Sequence, residues 1–301
     1  MRNTVIDQTI FLTLVRTANE ISRARLLIDS IRSFGGILSP CPIWLFEANP
    51  QGVPCDSLEE MNVQVFPLNV PDTVRHYYFA DKIYACTQAE KMVSPGVQSL
   101  IWVDPACLVI RPPLLYDLGK AFDAAVRPVH IRNVGLPPEE PLDGFWKKIC
   151  ETVGVHDIPT TVETFVDGQR IRSYFNSHAF AINPSKGLLR RWFECYEVLV
   201  GDGEYQKNIC QDERHQIFLH QAVWSALLVT ELDSKRVREL PPDYNYPYNL
   251  HQSVPAGRRA AVLNELVSIA YENRSLDPKK VDDIEVHDPL RSWLSARAGG
   301  V

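Results

Sequence analysis

The stretch from Ile101 to Ile110, IWVDPACLVI, constrains this chain more than any other, because an apolar strand there ends abruptly in an acid. Residues 100–103 form a short apolar run typical of a strand buried on both faces, and Asp104 follows at its carboxyl end. Pro105 lacks the N–H that a further ladder bond needs, so pairing stops there. In open α/β sheets ligands bind at this edge, where an acid can hold a cation or a sugar hydroxyl. The segment alone is equally compatible with a loop-capping aspartate.

The segments on either side of this strand alternate between apolar patterns typical of strands and apolar patterns typical of helices. Residues 9–15 and 43–46 have the apolar character of strands. Between them, apolar residues at helical spacing predict a helix that begins near Asn19 and ends at Gly35. Such a unit of strand, helix and strand is suited to parallel pairing. Further predicted strands cover residues 63–66, 108–110, 124–129, 180–182, 267–271 and 284–286, and further helices cover 82–92, 185–199 and 215–230. The chain therefore predicts an α/β fold with a mixed, mostly parallel sheet and helices on both faces.

Some details of this prediction are specific enough to be checked against a structure. Residues 108–110 and 124–129 are expected to continue the sheet of the 100–103 strand, and Ser185 is expected to cap the helix that it begins. Residues 135–169 are rich in proline, glycine and acids with weak periodicity, so we expect a surface excursion that shapes a cleft. No linker divides the sequence, which favours a single domain over residues 1–301.

The charge balance and the cysteines exclude several classes of protein. A formal charge of −6, with no run rich in lysine and arginine, offers no footprint for nucleic acid, so no such partner is expected. The seven cysteines contain no C-x-x-C pair, which disfavours zinc and redox sites and predicts reduced, mostly buried thiols. The sequence contains no signal peptide and no run long enough to span a membrane, so we expect a cytoplasmic protein.

The motifs of several common enzyme classes are absent from the sequence. It contains no Walker P-loop, no complete G-x-G-x-x-G, no G-x-S-x-G and no H-E-x-x-H. These absences disfavour nucleoside triphosphate hydrolysis, hydride transfer and hydrolysis by a catalytic triad.

The remaining candidate residues follow one another in an order that resembles a known family. They are Val15-Arg16 at the end of the first strand, Lys82 at the start of a helix, Asp104, Asn176-Ser177-His178, His220-Gln221 and His287. From Thr9 to about Trp293 this order resembles the GT-A-fold glycosyltransferases, which move a sugar from a nucleotide-sugar donor. The resemblance implies such a donor, a glycan or small-molecule acceptor, a nucleotide-binding half at residues 1–130 and an acceptor-side half at residues 131–301.

The resemblance also implies roles for the matching residues. Donor binding would involve Val15, Arg16, Lys82, Asp104, Asn176, Ser177 and Asn245. Catalysis would involve Asp104, His220 and Gln221. The loop at residues 244–249 is rich in tyrosine and asparagine, and aromatic faces suit sugar rings, so it is the acceptor-side candidate, although such tyrosines also pack as plain lids.

The sequence departs from the family pattern at the metal-binding D-x-D motif. It reads Asp104-Pro105-Ala106, so the second acid is missing. Mn²⁺ or Mg²⁺ held by Asp104 and His287 is one interpretation, with water at the vacant position, since Mg²⁺ keeps several waters. We favour a second interpretation, in which fixed cations neutralise the diphosphate of the donor; the candidates are Lys82, Arg16 and Arg111.

Other functions and structural roles stay open at this point. Loss of the second acid is also what a sugar-nucleotide-binding protein without turnover would show. A nucleotidyltransferase of similar topology is disfavoured, because residues 14–22, LVRTANEIS, lack the glycine of the usual loop. His220 lies among apolar neighbours and is also typical of a hydrogen-bonded core histidine.

Overall fold

The computed structural model of the chain describes residues 5–48, 55, 58, 61–278 and 284–297. Its strands are β1 (Thr9–Val15), β2 (Ile43–Glu47), β3 (Val63–Pro67), β4 (Ser99–Val103), β5 (Cys107–Val109), β6 (Ala124–Val126), β7 (Thr161–Glu163), β8 (Arg170–Arg172), β9 (Ala179–Ile182), β10 (Val237–Glu239), β11 (Tyr246–Pro247) and β12 (Ser268–Ala270). Its α-helices are α1 (Val5–Gln8), α2 (Ala18–Phe34), α3 (Ala80–Met92), α4 (Gly144–Val153), α5 (Leu188–Gly201), α6 (Gly203–Asn208), α7 (Glu213–Glu231) and α8 (Leu290–Arg297).

The main sheet contains seven strands in the order β10-β6-β9-β4-β1-β2-β3. β1 pairs in parallel with β2 and β4, so that Phe11 lies opposite Ile43 on one side and Ile101 on the other. β9 differs from its neighbours, because it runs antiparallel to both β4 and β6. The prediction of an α/β fold with a mixed, mostly parallel sheet is confirmed.

Apolar residues are distributed over both faces of this sheet, because successive side chains of a strand point to opposite faces. Leu12 and Leu14 lie in the core cluster that also contains buried residues of α3, α5 and α7. Phe11 and Val15 lie in the cluster that contains buried residues of α2. All seven residues of β1 are buried, as expected for a strand covered by helices on both faces.

The strand at residues 107–109 does not continue the main sheet, and that prediction is wrong. β5 instead pairs antiparallel with β12, in a three-stranded sheet with β11. The chain turns directly after β4, where the Cys107 N–H donates to the Asp104 carbonyl at 3.0 Å. The apolar run that begins at Leu100 is therefore divided between two sheets.

Residues 135–169 are not a surface excursion, and this expectation is wrong as well. They contain α4, whose N-cap Asp143 accepts a hydrogen bond from the Trp146 N–H. Phe145, Trp146 and Ile149 are buried in the same core cluster as α5 and α7. The apolar face belongs to a helix of only ten residues, which is too short to give a strong periodic signal.

Two smaller predictions also fail. Ser185 does not cap α5, because residues 184–186 form a 3-10 turn capped by Asn183, and Gly187 then precedes the helix in the left-handed conformation. Residues 284–286 contain an isolated bridge between Glu285 and Val262 rather than a strand. Both predictions depended on short segments, where a local turn or a single bridge outweighs weak propensity.

All seven cysteines are buried and none forms a disulfide within the described residues, in agreement with the prediction of reduced, mostly buried thiols. Burial raises the pKa of the Cys41 thiol to about 11, so that thiol is protonated at neutral pH. Within the described residues, no helix combines the length and the apolar character needed to cross a bilayer.

We predict that α4 is a structural part of the core. Trp146 is 2% exposed, and its Nε1 donates to the Val134 carbonyl at 2.6 Å. Trp146→Ala should therefore lower the free energy of unfolding by about 3 to 5 kcal/mol, measured by urea denaturation. Leu114→Ala, at a side chain that is 48% exposed, should change it by about 0.5 kcal/mol or less. If Trp146→Ala lowers the free energy of unfolding by less than about 1 kcal/mol, residues 135–169 would be peripheral to the core.

Candidate functional site

The candidate site lies at the edge of the main sheet where β4 ends and β9 begins. Because β9 runs antiparallel to β4, the residues before β9 come next to the residue after β4. The Asp104 N–H donates to the His178 carbonyl at 2.8 Å. Main-chain pairing therefore holds Asp104 beside residues 176–178.

Lys82 connects these two strand ends through its buried ammonium group. Its side chain is 1% exposed, and Nζ lies 3.0 Å from Asp104 Oδ2, 2.5 Å from the Ser177 carbonyl oxygen and 3.4 Å from Ser177 Oγ. An ammonium group has three N–H bonds, and each has an acceptor here. Trp102 Nε1 donates to the second oxygen of Asp104 at 2.7 Å. We call Lys82, Asp104 and Ser177 the Lys82 cluster.

The start of α3 places Lys82 in this position. Asp81, in the first turn of α3, accepts hydrogen bonds from Nε and Nη2 of Arg16 at 2.5 and 2.9 Å. Burial alone would lower the pKa of Arg16, but Asp81 and Glu20 raise it above its ordinary value. The two-pronged ion pair joins the end of β1 to the start of α3, and this fixes the direction from which Lys82 enters the site.

Ser177 is held from the other side by α7. Ser177 Oγ lies 2.9 Å from His220 Nε2, and His220 Nδ1 lies 2.7 Å from the Ile217 carbonyl oxygen. A carbonyl oxygen only accepts, so Nδ1 carries the proton and Nε2 accepts from the serine hydroxyl. Gln221 Oε1 accepts from the Ser177 N–H at 3.3 Å. Burial and the nearby charge of Lys82 hold the pKa of His220 well below its ordinary value, so the ring is neutral.

Asn176 forms a second group of hydrogen bonds beside the Lys82 cluster. Its Oδ1 accepts from the His178 N–H at 2.7 Å, from His178 Nδ1 at 2.9 Å and from Asn245 Nδ2 at 3.0 Å. His178 Nδ1 therefore carries a proton, and its Nε2 lies 3.5 Å from Glu272 Oε1. The hydrogen bond from His178 holds the pKa of Glu272 below its ordinary value, although burial acts in the opposite direction. The fully protonated ring of His178 would form an ion pair with Glu272.

A cavity of about 490 Å³ opens over these residues. We call it the first cavity, and its wall contains three basic and three acidic side chains: Arg16, Arg23, Lys82, Glu20, Asp104 and Glu272. Its other polar and aromatic lining residues include Phe79, His130, Asn133, Asn176, Ser177, His178, His220, Gln221 and Asn249. A concave site of this size with a few convergent polar groups is typical of a small-molecule pocket.

The structure brings eight of the residues singled out in the sequence to the wall of the first cavity. They are Arg16, Lys82, Asp104, Asn176, Ser177, His178, His220 and Gln221. Asn245 is 1% exposed and lies behind the wall, where it contacts Asn176. Val15 is fully buried in the core, so its side chain does not face the cavity.

Arg111 and His287 lie away from the first cavity. Arg111 Nη1 donates to the Glu265 carbonyl at 2.8 Å. His287 Nε2 lies 3.0 Å from Glu285 Oε2, and its N–H donates to Asn264 Oδ1 at 2.8 Å. Within the described part of the chain, neither residue contributes to the wall of the cavity. The structure therefore does not bring His287 together with Asp104.

The tyrosines of the loop at residues 244–249 pack inward. Tyr244, Tyr246 and Tyr248 are all buried, and the Tyr246 hydroxyl lies 2.8 Å from His251 Nδ1. Asn249, at the end of the loop, reaches the wall of the first cavity. The loop therefore presents an amide rather than an aromatic face to a ligand.

The groups around Asp104 do not fit a divalent metal ion. One carboxylate oxygen accepts from Trp102 and the other from Lys82, whose positive charge would repel a metal ion. Ala106 supplies no side-chain ligand. Among the residues that the structure describes, no three side chains of histidine, cysteine, aspartate or glutamate are grouped so that they could hold a metal ion. The positive charge next to Asp104 comes from Lys82 instead.

Arg23 and Glu272 line the first cavity, and the sequence interpretation missed both. Arg23 lies three residues after Glu20 in α2, so helical spacing places the two on one face and could have indicated Arg23. Glu272 has no comparable local signal. It reaches the site because β12 pairs with β5, which brings the Glu272 N–H to 3.4 Å from the Ala106 carbonyl oxygen.

Comparison with known proteins relates this chain to a family. A family model described as the Rhodobacterales glycosyltransferase domain matches residues 20–227. No curated protein matches the chain in sequence.

Solved structures of glycosyltransferases are similar to this chain. Galactosyltransferase LgtC, in complex with donor and acceptor sugar analogues, is 15% identical, with 91% of this chain and 92% of LgtC covered and a TM-score of 0.51. An active-site glutamine-to-glutamate variant of LgtC is 14% identical, with 88% of each chain covered and a TM-score of 0.50. Glycosyltransferase GlyE of Streptococcus pneumoniae TIGR4 is 14% identical, with 97% of this chain and 59% of GlyE covered and a TM-score of 0.47. The LgtC comparison shows that the fold is GT-A-like.

We predict that His220 makes the stability of the protein depend on pH. Its pKa lies well below 6.5 in the folded chain, so below that pH the unfolded chain binds a proton that the native chain does not. Stability contributed by the neutral ring is therefore present above pH 6.5 and is lost as the pH falls, by about 1.4 kcal/mol per pH unit. His130, which is also buried with a lowered pKa, adds a second contribution of the same sign.

Urea denaturation between pH 6.5 and pH 5.5 measures this slope. His220→Gln should reduce the slope by about 1 kcal/mol per pH unit, because the unfolded imidazole is only partly protonated over this interval. An identical slope in wild type and His220→Gln would mean that His220 is not held neutral in the folded chain.

Proposed function

The chain belongs to the family of Rhodobacterales glycosyltransferase domains, and from this membership we propose that it transfers a glycosyl group from a nucleotide-sugar donor to a hydroxyl group of an acceptor. The observation that carries the proposal is the first cavity, which lies next to Asp104 at the carboxyl end of β4. Open α/β sheets bind nucleotides at this edge. LgtC is described in complex with donor and acceptor sugar analogues, which supports the same class of substrates.

Asp104 and Glu272 suit the recognition of sugar hydroxyls. Each oxygen of Asp104 accepts one hydrogen bond from the protein, and a carboxylate oxygen can accept two, so acceptor capacity remains. The side chain of Asp104 is 16% exposed and that of Glu272 is 42% exposed, and both line the first cavity. We infer that the donor sugar lies over these carboxylates.

Gln221 adds an amide to the same wall. A variant of LgtC is described as an active-site glutamine-to-glutamate mutant, so in that enzyme a glutamine belongs to the active site. Gln221 lines the first cavity while its Oε1 is held by Ser177. We propose that Gln221 contacts the sugar, and that neutral His220, with both ring nitrogens already bonded, positions Ser177 rather than transferring a proton.

The diphosphate of the donor needs cations with free N–H groups. Lys82 has an acceptor for each of its three N–H bonds, so its role is to position Asp104 and Ser177. Among the residues that the structure describes, the side chain of Arg23 makes one hydrogen bond, from Nη2 to Asn273 Oδ1 at 3.2 Å, and its other N–H groups can bind an oxyanion. Arg16 can contribute the N–H groups that Asp81 and Glu20 leave unused. We therefore propose Arg16 and Arg23 as the diphosphate contacts.

The transfer replaces one bond at the anomeric carbon by another. The acceptor oxygen forms a bond to the anomeric carbon and releases its proton to water, while the bond from that carbon to the phosphate oxygen breaks. The electron pair of the broken bond leaves with the nucleoside diphosphate, whose negative charge grows in the transition state. Fixed cations that are already in place stabilise this charge without reorganisation, which is the catalytic contribution proposed for Arg16 and Arg23.

The remaining sequence assignments enter the proposal in a modified form. The chain around Val15 and Arg16 would hold the nucleotide through main-chain groups, since the Val15 side chain is buried. Asn245 would act through Asn176, to which it donates. Residues 1–130 would supply the nucleotide-binding half and residues 131–301 the acceptor-side half.

The proposal predicts donor binding that does not need a divalent ion. Thermal-shift screening of UDP-, GDP-, CDP- and ADP-sugars identifies the donor, because a ligand that binds the folded chain raises its melting temperature. Calorimetric titration with that donor should give the same affinity, within about twofold, in EDTA and in Mn²⁺, because arginines neutralise the diphosphate. Incubation with acceptors should then release the nucleoside diphosphate.

Ala106→Asp is the matched variant for this test. Ala106 lies between Asp104 and Glu272, since its carbonyl oxygen accepts from the Tyr271 and Glu272 N–H groups. A carboxylate at this position should create an oxygen-rich site and make donor affinity increase in Mn²⁺. Wild-type binding that disappears in EDTA would show that a metal is required, and the arginine assignment would then be wrong.

Arg23→Met should weaken donor binding at least tenfold, or about 1.4 kcal/mol, because a charge-assisted contact to the diphosphate is lost. The affinity for the matching unphosphorylated nucleoside should not change. Arg25→Met is the control, since Arg25 belongs to the same helix but contacts Met61 Sδ at 3.7 Å and not the first cavity. Equal losses in the two variants would indicate a general effect of charge rather than a direct contact.

A further inference from the structure

Arg127 is a buried cation, and two of its side-chain nitrogens lack a hydrogen-bond partner among the described residues. The residue is 3% exposed, and neither Nε nor Nη2 has a partner within the described part of the chain. Its guanidinium carbon lies 4.7 Å from the centre of the Phe165 ring, so the planar group stacks on an aromatic face. Burial lowers the pKa of Arg127 to about 10, which leaves it charged at neutral pH. Buried guanidinium groups are normally paired, because an unpaired charge in a protein interior is costly.

Arg127 lines a second cavity of about 410 Å³. We call this the second cavity; its other lining residues include Pro128, Glu163, Phe165, Glu239 and Arg258. It is distinct from the first cavity, whose wall takes Val129, His130 and Ile131 from the continuation of the same segment. Residues 127–131 therefore contribute to both cavities.

The acidic residues near Arg127 do not occupy its N–H groups. Glu163 Oε1 accepts from Arg258 Nη2 at 2.5 Å, and so it already has a cationic partner. Glu239 and Asp243 influence Arg127 through their charge, but neither accepts a hydrogen bond from its Nε or Nη2. Because no such bond holds these nitrogens, the guanidinium can turn towards a ligand in the cavity without breaking one.

We propose that the second cavity binds a small ligand through an anionic group, a carboxylate or a phosphate, which pairs with Arg127. A planar guanidinium presents parallel N–H groups that match two oxygens of either anion. Phe165 and Pro128 give the cavity apolar walls, which would contact the rest of the ligand. A sugar acid would supply a carboxylate and a phosphate compound would supply a phosphate, and both present oxyanions of this kind. Separate titrations with a sugar acid and with phosphate distinguish the two sources.

Arg127 lies on the segment whose continuation forms part of the wall of the first cavity. The Arg127 carbonyl oxygen accepts from the Asn176 N–H at 2.8 Å, and Asn176 lines the first cavity. The His130 carbonyl oxygen accepts from the Val166 N–H at 2.7 Å, next to Phe165. An occupant of the second cavity would therefore lie against the segment that also forms part of the first.

Calorimetric titration of the full chain with glucuronate, and separately with inorganic phosphate, tests the proposal. We expect at least one probe to bind, and Arg127→Met to weaken that binding at least tenfold. Arg170→Met is the matched control, because Arg170 is exposed and donates to Thr161 Oγ1 at 3.3 Å outside the cavity. Arg23→Met separates the two cavities, since it should leave this binding unchanged.

Several results would overturn the proposal. They are the absence of binding by both probes, equal binding in wild type and Arg127→Met, or binding that is lost in Arg23→Met and kept in Arg127→Met. If Arg127→Met does not fold, crystals of the wild-type chain soaked in each probe decide the matter. Electron density for the anion next to Arg127 supports the site, and density for neither probe there excludes it.

Discussion

The buried ammonium group of Lys82 is the interaction on which the geometry of the first cavity depends. A charge withdrawn from water is tolerated when all of its donors are paired. Asp104 and Ser177 supply the acceptors for Lys82, and they belong to the ends of two strands that run in opposite directions. The positions of β4, β9 and α3 are therefore coupled through one charge, and His220 extends the coupling to α7 through Ser177.

If the donor binds without a metal ion, as proposed, this arrangement would compensate for the missing second acid of the D-x-D motif. A metal ion held by two carboxylates leaves the site when the ligands are protonated or the ion is scarce. The charge of Lys82 belongs to the chain, and α3 delivers it with its first turn fixed by the Arg16–Asp81 ion pair. Asp104 is thereby oriented in advance, which is the condition under which electrostatic stabilisation costs no reorganisation during a reaction.

Local patterns in the sequence predict much of the main sheet, whereas the contacts of the site depend on the assembled fold. Residues 9–15 and 100–103 are continuous apolar runs, and the alternating helices imply parallel pairing, so these strands could be predicted. The short helix α4 could not, because only a few of its residues carry the apolar signal. Asp104 and Lys82 could be chosen by position and order, but their contact could not be derived from either segment. Glu272 reaches the cavity only through the pairing of β12 with β5, which leaves no local trace.

The wall of the first cavity has three basic and three acidic side chains, and this balance determines how it can select a ligand. A wall with no excess of charge gives little long-range attraction, so electrostatic steering of an anionic donor is weak. Affinity must then come from direct contacts, and these require N–H groups that the protein has not already used. All three N–H groups of Lys82 have acceptors, whereas within the described residues only one N–H group of Arg23 is bonded. Preference for a diphosphate over other anions would therefore depend on the spacing of the free N–H groups of Arg16 and Arg23, and not on net charge.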